Sequence, residues 1–196
     1  MKAGDLLDLR LREFFDAVAS EHPTPGGGSA AAVAVTMSAA LSAMVARASS
    51  DWGQAGSVVA QAERLRKRTA PLAQLDAEAY EGALVSTRLP GGGEPAVRDA
   101  AVGAAMDRAA ELPLQIVEAA ADAASLAELV AERGAQDRRG DAVAAALLAE
   151  AGARAAAALV AVNLTMQPDD DRIMKARELA RVASEAAARA VRSIES

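Results

Sequence analysis

Cysteine is absent from the 196-residue chain. Disulfides, thiolate metal sites and a cysteine nucleophile are therefore excluded, and the composition fits a reducing, cytoplasmic setting. Histidine occurs once, as His22, which by itself builds neither a metal cluster nor a catalytic triad. Aromatics are limited to Phe14, Phe15, Trp52 and Tyr80, with only three isoleucines beside them. Strands favour β-branched and aromatic side chains, so an all-β domain is excluded. Basic residues are the minority, 21 against 27 acidic, for a net charge of −6 and a pI near 4.9. A phosphate backbone requires a concentrated basic surface, so nucleic acid is not an expected partner. The run Arg64, Arg66, Lys67, Arg68 reads as a solvated helix face. Lys2, Asp5, Asp8 and Glu13 precede any apolar run, so no secretory leader is expected.

Charge is also missing from residues 23–46. That length would span a bilayer. The stretch nevertheless holds three glycines, two prolines and five Ser or Thr residues, without a leucine-rich centre or flanking aromatic anchors. A helix buried on all sides of a soluble bundle is the better reading, and no membrane partner is expected.

Alanine dominates what is present, with 54 residues in a chain that is 52% apolar. Alanine is the best helix former, and a chain of this length suits one domain spanning 1–196. Alanine also buries little area, and burial contributes roughly 25 cal/mol per Å². Close packing of helices and an oligomer, most simply a homodimer, are expected.

The pattern predicts an all-α bundle of about six helices. The first covers about residues 5–19, with Leu7, Leu11, Phe14, Phe15 and Val18 on one side. His22 to Gly28 ends it. Ser29 then caps a second helix to about Ala48, carrying a small-residue stripe at Ala32, Thr36, Ala40 and Met44. A third runs over about 57–87, with Pro71 as a kink or restart. After the break Leu89-Pro90-Gly91-Gly92-Gly93, a fourth opens at Glu94 or Pro95, runs to about Glu132 and is interrupted at Pro113. A charged turn at 133–140 precedes a fifth helix at 141–164. A sixth follows Pro168 over about 169–194, where Asp169, Asp170 and Asp171 read as a helix start that complements the dipole.

The segment Pro23-Thr24-Pro25-Gly26-Gly27-Gly28-Ser29 is the strongest signal. Three glycines leave backbone N–H groups uncovered, and the first N–H groups of a helix lack internal partners. Together they form a ready site for a carboxylate or phosphate. The plainer reading is a connector between two helices, which would not require stiffening by prolines. Asp76 lies mid-helix with Leu72 and Tyr80 one turn either side. A partly buried carboxyl there would exchange protons near neutrality, whereas an exposed one would pair with Arg68 or a second subunit. Asp141 suits a helix N-cap as well as a catalytic acid.

The stretches 11–19 and 23–32, the small-residue helix ending Ala43-Met44-Val45, Leu75-Asp76-Ala77-Glu78-Ala79-Tyr80, Pro113-Leu114 and Val162-Asn163-Leu164 appear in the order found in a known family. On these the chain resembles the cyclodeaminase/cyclohydrolase family, which contains formiminotetrahydrofolate cyclodeaminase and bacterial methenyltetrahydrofolate cyclohydrolase. The resemblance implies an all-helical, dimerising, cytoplasmic enzyme of one-carbon folate metabolism. Such an enzyme cyclises 5-formimino-tetrahydrofolate with loss of ammonia, or hydrolyses 5,10-methenyl-tetrahydrofolate to the 10-formyl form. It implies Asp76 and Asp141 as catalytic groups. Pro25, Gly26, Gly27, Gly28, Ser29, Tyr80 and Asn163 would bind the substrate, with Tyr80 either stacking on a pterin or filling core. It calls for no metal or redox cofactor. Arg47, Arg64 and Arg68 are candidates for a folate's glutamate tail. The chain departs from the pattern at Ala135, Asp137, Gly140 and Leu159, the last standing where an asparagine is expected. These departures motivate an alternative, a member that keeps the fold, with or without folate binding, and lacks catalysis. A bundle that binds only protein is the remaining alternative.

Overall fold

The computed structural model describes residues 5–87 and 95–194. The break expected at Leu89 to Gly93 lies outside them. Among the described residues the chain is all helix, with seven α-helices, two short 3-10 turns and no strand. The helices are α1 (Leu11–Val18), α2 (Gly27–Ala48), α3 (Ala55–Thr69), α4 (Leu72–Thr87), α5 (Pro95–Arg133), α6 (Arg139–Asn163) and α7 (Asp171–Arg192).

The start of α1 and the course of the helix at Pro113 differ from the sequence reading, whereas Pro71 acts as the restart expected of it. Asp5 caps a separate 3-10 turn, Leu6–Asp8, by accepting the Leu7 N–H at 2.9 Å. Leu9 and Arg10 are then extended, so α1 starts only at Leu11. Pro71 restarts the helix and divides the expected third element into α3 and α4, because a proline is tolerated in a first turn but not in a helix interior. Pro113 does the reverse of what was expected. α5 continues through it for 39 residues, a length of about 58 Å at roughly 1.5 Å per residue.

α5 and α6 form the most extensive pair, with α2 on one side of α6 and α7 on the other. α2 and α6 run antiparallel, since Gly27 faces Leu159 at one end and the Ala135 N–H donates to Ser49 Oγ at 2.7 Å at the other. They pack tightly at Gly152, where an added Cβ would sit 2.6 Å from Val35 Cγ2 and 3.2 Å from the Ala31 carbonyl oxygen. That crossing leaves no room for any side chain. Of the small-residue stripe on α2, Ala32 is buried, Thr36 and Met44 are half-buried and Ala40 is exposed, while Ala31, Val35, Ala39, Ala43 and Ala46 are buried beside it. α2 is not buried on all sides, for Met37 is 51% exposed. α7 buries Ile173, Ala176, Ala180, Ala183, Ala187 and Ala190 at alternating steps of three and four, the seam of a helix pair.

α2 and residues 136–163 are long and apolar enough to cross a membrane by length and composition. Both contribute heavily to the core.

Candidate functional site

A cleft of about 330 Å³ opens where the start of α2, the middle of α4, the middle of α5 and the end of α6 converge. Pro23, Thr24, Gly26, Gly27 and Gly28 form one wall. Asp76 and Tyr80 of α4 form another, and Pro113, Leu159, Val162 and Asn163 complete it. The volume falls at the small end of ligand pockets, and the lining mixes apolar surface with a few polar groups. At the rim, Thr24 Oγ1 hydrogen-bonds to the Glu81 carboxylate.

The position of Asp76 explains the glycine segment. α2 begins at Gly27 with Gly26 as its N-cap, one turn earlier than a Ser29 cap would place it. The Asp76 carboxyl lies directly against Gly28, where an added Cβ would meet Asp76 Oδ2 at 2.1 Å and Cγ at 2.2 Å. The Ser29 N–H, in the first turn of α2, donates to that carboxyl. The unpartnered amide end of the helix therefore receives an anion from its own chain, in addition to whatever the open side of the cleft admits. Burial pushes the Asp76 pKa up to about 6, and the Ser29 N–H opposes the shift without cancelling it. Among the described residues no cation pairs with Asp76, and Arg68 pairs instead with Asp122 at 2.7 Å.

The other sequence candidates divide into two groups. Gly26, Gly27, Gly28, Asp76, Tyr80 and Asn163 share the cleft. Pro25 and Ser29 are buried behind it, and the Ser29 hydroxyl donates to the Ala73 carbonyl at 2.7 Å. The Thr24–Pro25 peptide is cis. Asp141 is not brought to the cleft. It lies in the first turn of α6, about 33 Å from Asn163 at roughly 1.5 Å per helical residue. His22 is exposed and outside the lining. Arg64 and Arg68 line a separate groove of about 540 Å³ between α3 and α5, and Arg47 pairs with Glu63 at 2.7 Å.

Asn163 Nδ2 donates to the Ala109 carbonyl at 3.0 Å. Sequence reasoning placed Pro113 in a helix but not in this site. The signal was available, since a proline inside a helix leaves one carbonyl in need of another donor.

The sequence profile of the family described as Formiminotransferase-cyclodeaminase matches residues 10–183. A methenyltetrahydrofolate cyclohydrolase of Methylorubrum extorquens is 35% identical, over 78% of this chain and 78% of its own. The chain belongs to the formiminotransferase-cyclodeaminase family. The crystal structure of formiminotetrahydrofolate cyclodeaminase from Thermotoga maritima superposes with a TM-score of 0.84 at 26% identity, covering 97% of this chain and 98% of that one. The structure also sorts this family member's departures by position. Leu159 lines the cleft, with its methyl groups 3.6 and 3.8 Å from a Cβ placed on Gly27. Ala135, Asp137 and Gly140 lie around the second 3-10 turn, Gln136–Arg138, and the start of α6, at the opposite end of the bundle.

Proposed function

We propose that the cleft takes a one-carbon-substituted tetrahydrofolate and that Asp76 carries its proton between reacting atoms. The protein is an enzyme of one-carbon folate metabolism, of the cyclohydrolase and cyclodeaminase kind. The observation that carries the mechanism is a half-buried carboxyl with a pKa near 6 on the wall of a cleft, with no cationic partner among the described residues. Such a group is populated in both protonation states near neutrality, which general acid–base work requires.

In hydrolysis, the Asp76 carboxylate accepts a proton from water as the oxygen attacks the methenyl carbon. The carbon–N5 bond of the tetrahedral adduct then breaks with its electron pair going to N5, Asp76 returns the proton there, and the adduct's hydroxyl proton is released to water as the formyl C=O forms. In cyclodeamination, N10 attacks the carbon of the protonated formimino group, and Asp76 takes the N10 proton and passes it to the adduct's amino nitrogen. The carbon–nitrogen bond then breaks to release ammonia and leave the methenyl cation. Both routes need the two nitrogens held in one geometry, which rigid helix walls and a wall glycine provide. Tyr80 presents an aromatic face and Asn163 an amide to the bound ring system, while Gly26 and Gly27 allow close backbone approach. No step in this scheme needs a redox cofactor.

The test follows loss of the near-ultraviolet absorbance of methenyl-tetrahydrofolate, with ammonia release from the formimino compound in parallel. We expect turnover above the buffer rate, with kcat/KM for hydrolysis rising with pH through about 6 as Asp76 ionises. Rates equal to buffer on both compounds would overturn the reading. Leu159 supports a second reading, binding without turnover, because an apolar side chain stands in the wall. Saturable tetrahydrofolate binding by calorimetry together with buffer rates would favour it.

We also infer a cytoplasmic homodimer. Leu11 and Phe15 of α1 are 65% and 58% exposed, and Met37 of α2 and Leu147 of α6 are further exposed apolar side chains. A second copy would cover these surfaces. Sedimentation at micromolar concentration should give twice the chain mass, and a monomer would rule the dimer out.

A further inference from the structure

We propose that Pro113 is a positioning residue: by having no N–H, it frees the Ala109 carbonyl to anchor the Asn163 amide that contacts the substrate. The proposal rests on the functional reading above and adds to it how one wall of the cleft is set.

In an α-helix each N–H donates to the carbonyl four residues earlier, so residue 113 is the donor for Ala109. Proline has no N–H to give. α5 nevertheless runs unbroken through Pro113, and Ala109 is buried, only 3% exposed. A buried carbonyl with no partner is costly. Asn163, the last residue of α6, meets that need from another helix, donating from Nδ2 at 3.0 Å. The geometry also fixes which way the amide points. A carbonyl only accepts, so the atom facing it is the nitrogen. One N–H is thereby occupied, and the Oδ1 acceptor and the second N–H remain. Both Pro113 and Asn163 line the cleft with Asp76.

The surrounding seam is held rigidly, as a positioning device requires. Arg172 of α7 contacts α5 on either side of Ala109. It donates to the Asp107 carbonyl at 3.3 Å and pairs with the Glu111 carboxylate at 2.6 Å, and it also pairs with the Asp107 carboxylate. The end of α6 and the start of α7 are thus both tied to this turn of α5. A helix without the proline would satisfy Ala109 internally and leave Asn163 with no fixed partner.

The experiment compares wild type with Pro113→Ala, Asn163→Ala and the double variant. Alanine at 113 supplies the missing N–H and a better helix former, so Pro113→Ala should fold and melt no lower than wild type. In the free protein, the Asn163 side-chain amide resonances should move in Pro113→Ala towards those of a solvent-exposed asparagine. In turnover, KM should rise about fivefold to tenfold in each single variant, as for loss of one oriented hydrogen bond, with kcat changed less. The double variant should be no worse than Asn163→Ala alone, since both changes act through one amide.

Unmoved Asn163 resonances in Pro113→Ala would overturn the anchoring. An unchanged KM in Pro113→Ala, or effects that multiply in the double variant, would overturn the link to substrate. A wild type that neither binds nor turns over folate would end the functional reading and with it the substrate contact, while the resonances would still decide whether Pro113 anchors Asn163.

Discussion

Asp76 and Asp170 occupy similar local positions in two regions of the molecule. Each accepts a backbone N–H in the first turn of a helix, from Ser29 of α2 and from Arg172 of α7 respectively. Their proton affinities nevertheless move in opposite directions, to about 6 for Asp76 and to about 2 for Asp170. The difference comes from what lies beyond the cap. Asp170 also receives the Arg172 guanidinium, from Nε at 2.9 Å and Nη2 at 2.8 Å, and that pairing is the largest cause of its low value. Asp76 has burial and, among the described residues, no cation. An amide at a helix start is therefore a weak determinant of carboxyl chemistry, and the charge and water around it decide. One region uses its aspartate to hold helices together. The other keeps its aspartate poised to exchange a proton.

The largest test of that contrast is Asp76→Asn. Removing the proton carrier should lower kcat by about 100-fold or more, read by the absorbance assay. Stability should move the other way. The folded Asp76 binds its proton up to about pH 6, whereas an unfolded aspartate loses it near 3.8. The folded state thus holds more protons in that window, and wild-type stability should fall as pH rises from about 4 to about 6. In Asp76→Asn the fall should disappear and the melting temperature at pH 7 should rise. A variant melting lower at pH 7 would show that the carboxylate is not the burdened group.

Gly28→Ala comes next. Its Cβ would sit 2.1 Å from Asp76 Oδ2, so the carboxyl must move away from the Ser29 N–H. A drop in kcat of about tenfold is expected, from lost orientation at the reacting centre, together with a shifted pH midpoint of kcat/KM. Unaltered kinetics would mean that Asp76 tolerates displacement and that its contact with Gly28 is packing alone.

Arg172→Leu should have the smallest effect. The Arg172 side chain is largely sheltered, at 20% exposed, and leaves three carboxylates behind when removed. A fall in melting temperature of about 5 °C is expected. Asp170 binds its proton more weakly folded than unfolded, so its contribution is present above about pH 4 and lost as pH falls towards 2. That low-pH slope should flatten in the variant. Activity near neutrality should change far less than in Asp76→Asn, because the pair lies outside the cleft lining.

Much of this was legible in the sequence. The composition excluded sheet, and Pro71 marked the division between α3 and α4. The glycine segment and Asp76 were the right places to look for a cleft. What was not legible came from contacts between distant segments. The glycines were read as a bare cradle for an outside anion, whereas Gly28 makes space for a carboxyl 48 positions further along the chain. Pro113 was read as an interruption because a lone helix pays for a missing N–H. A bundle supplies the replacement donor from another helix, here Asn163. Asp141 was read as an N-cap or a second catalytic group, but α6 is a rod that carries it to the end opposite the cleft.

Local chemistry accounts for the helices, their stops at glycine and proline, and the need for a chain so rich in alanine to pack its rods closely. Those features depend on neighbours within a turn or two, which the order of residues states directly. The acidity of Asp76, the direction of the Asn163 amide and the pairing of Asp170 with Arg172 depend on water being excluded and on which rods lie side by side. Only the assembled bundle sets those, because field and desolvation act through space rather than along the chain.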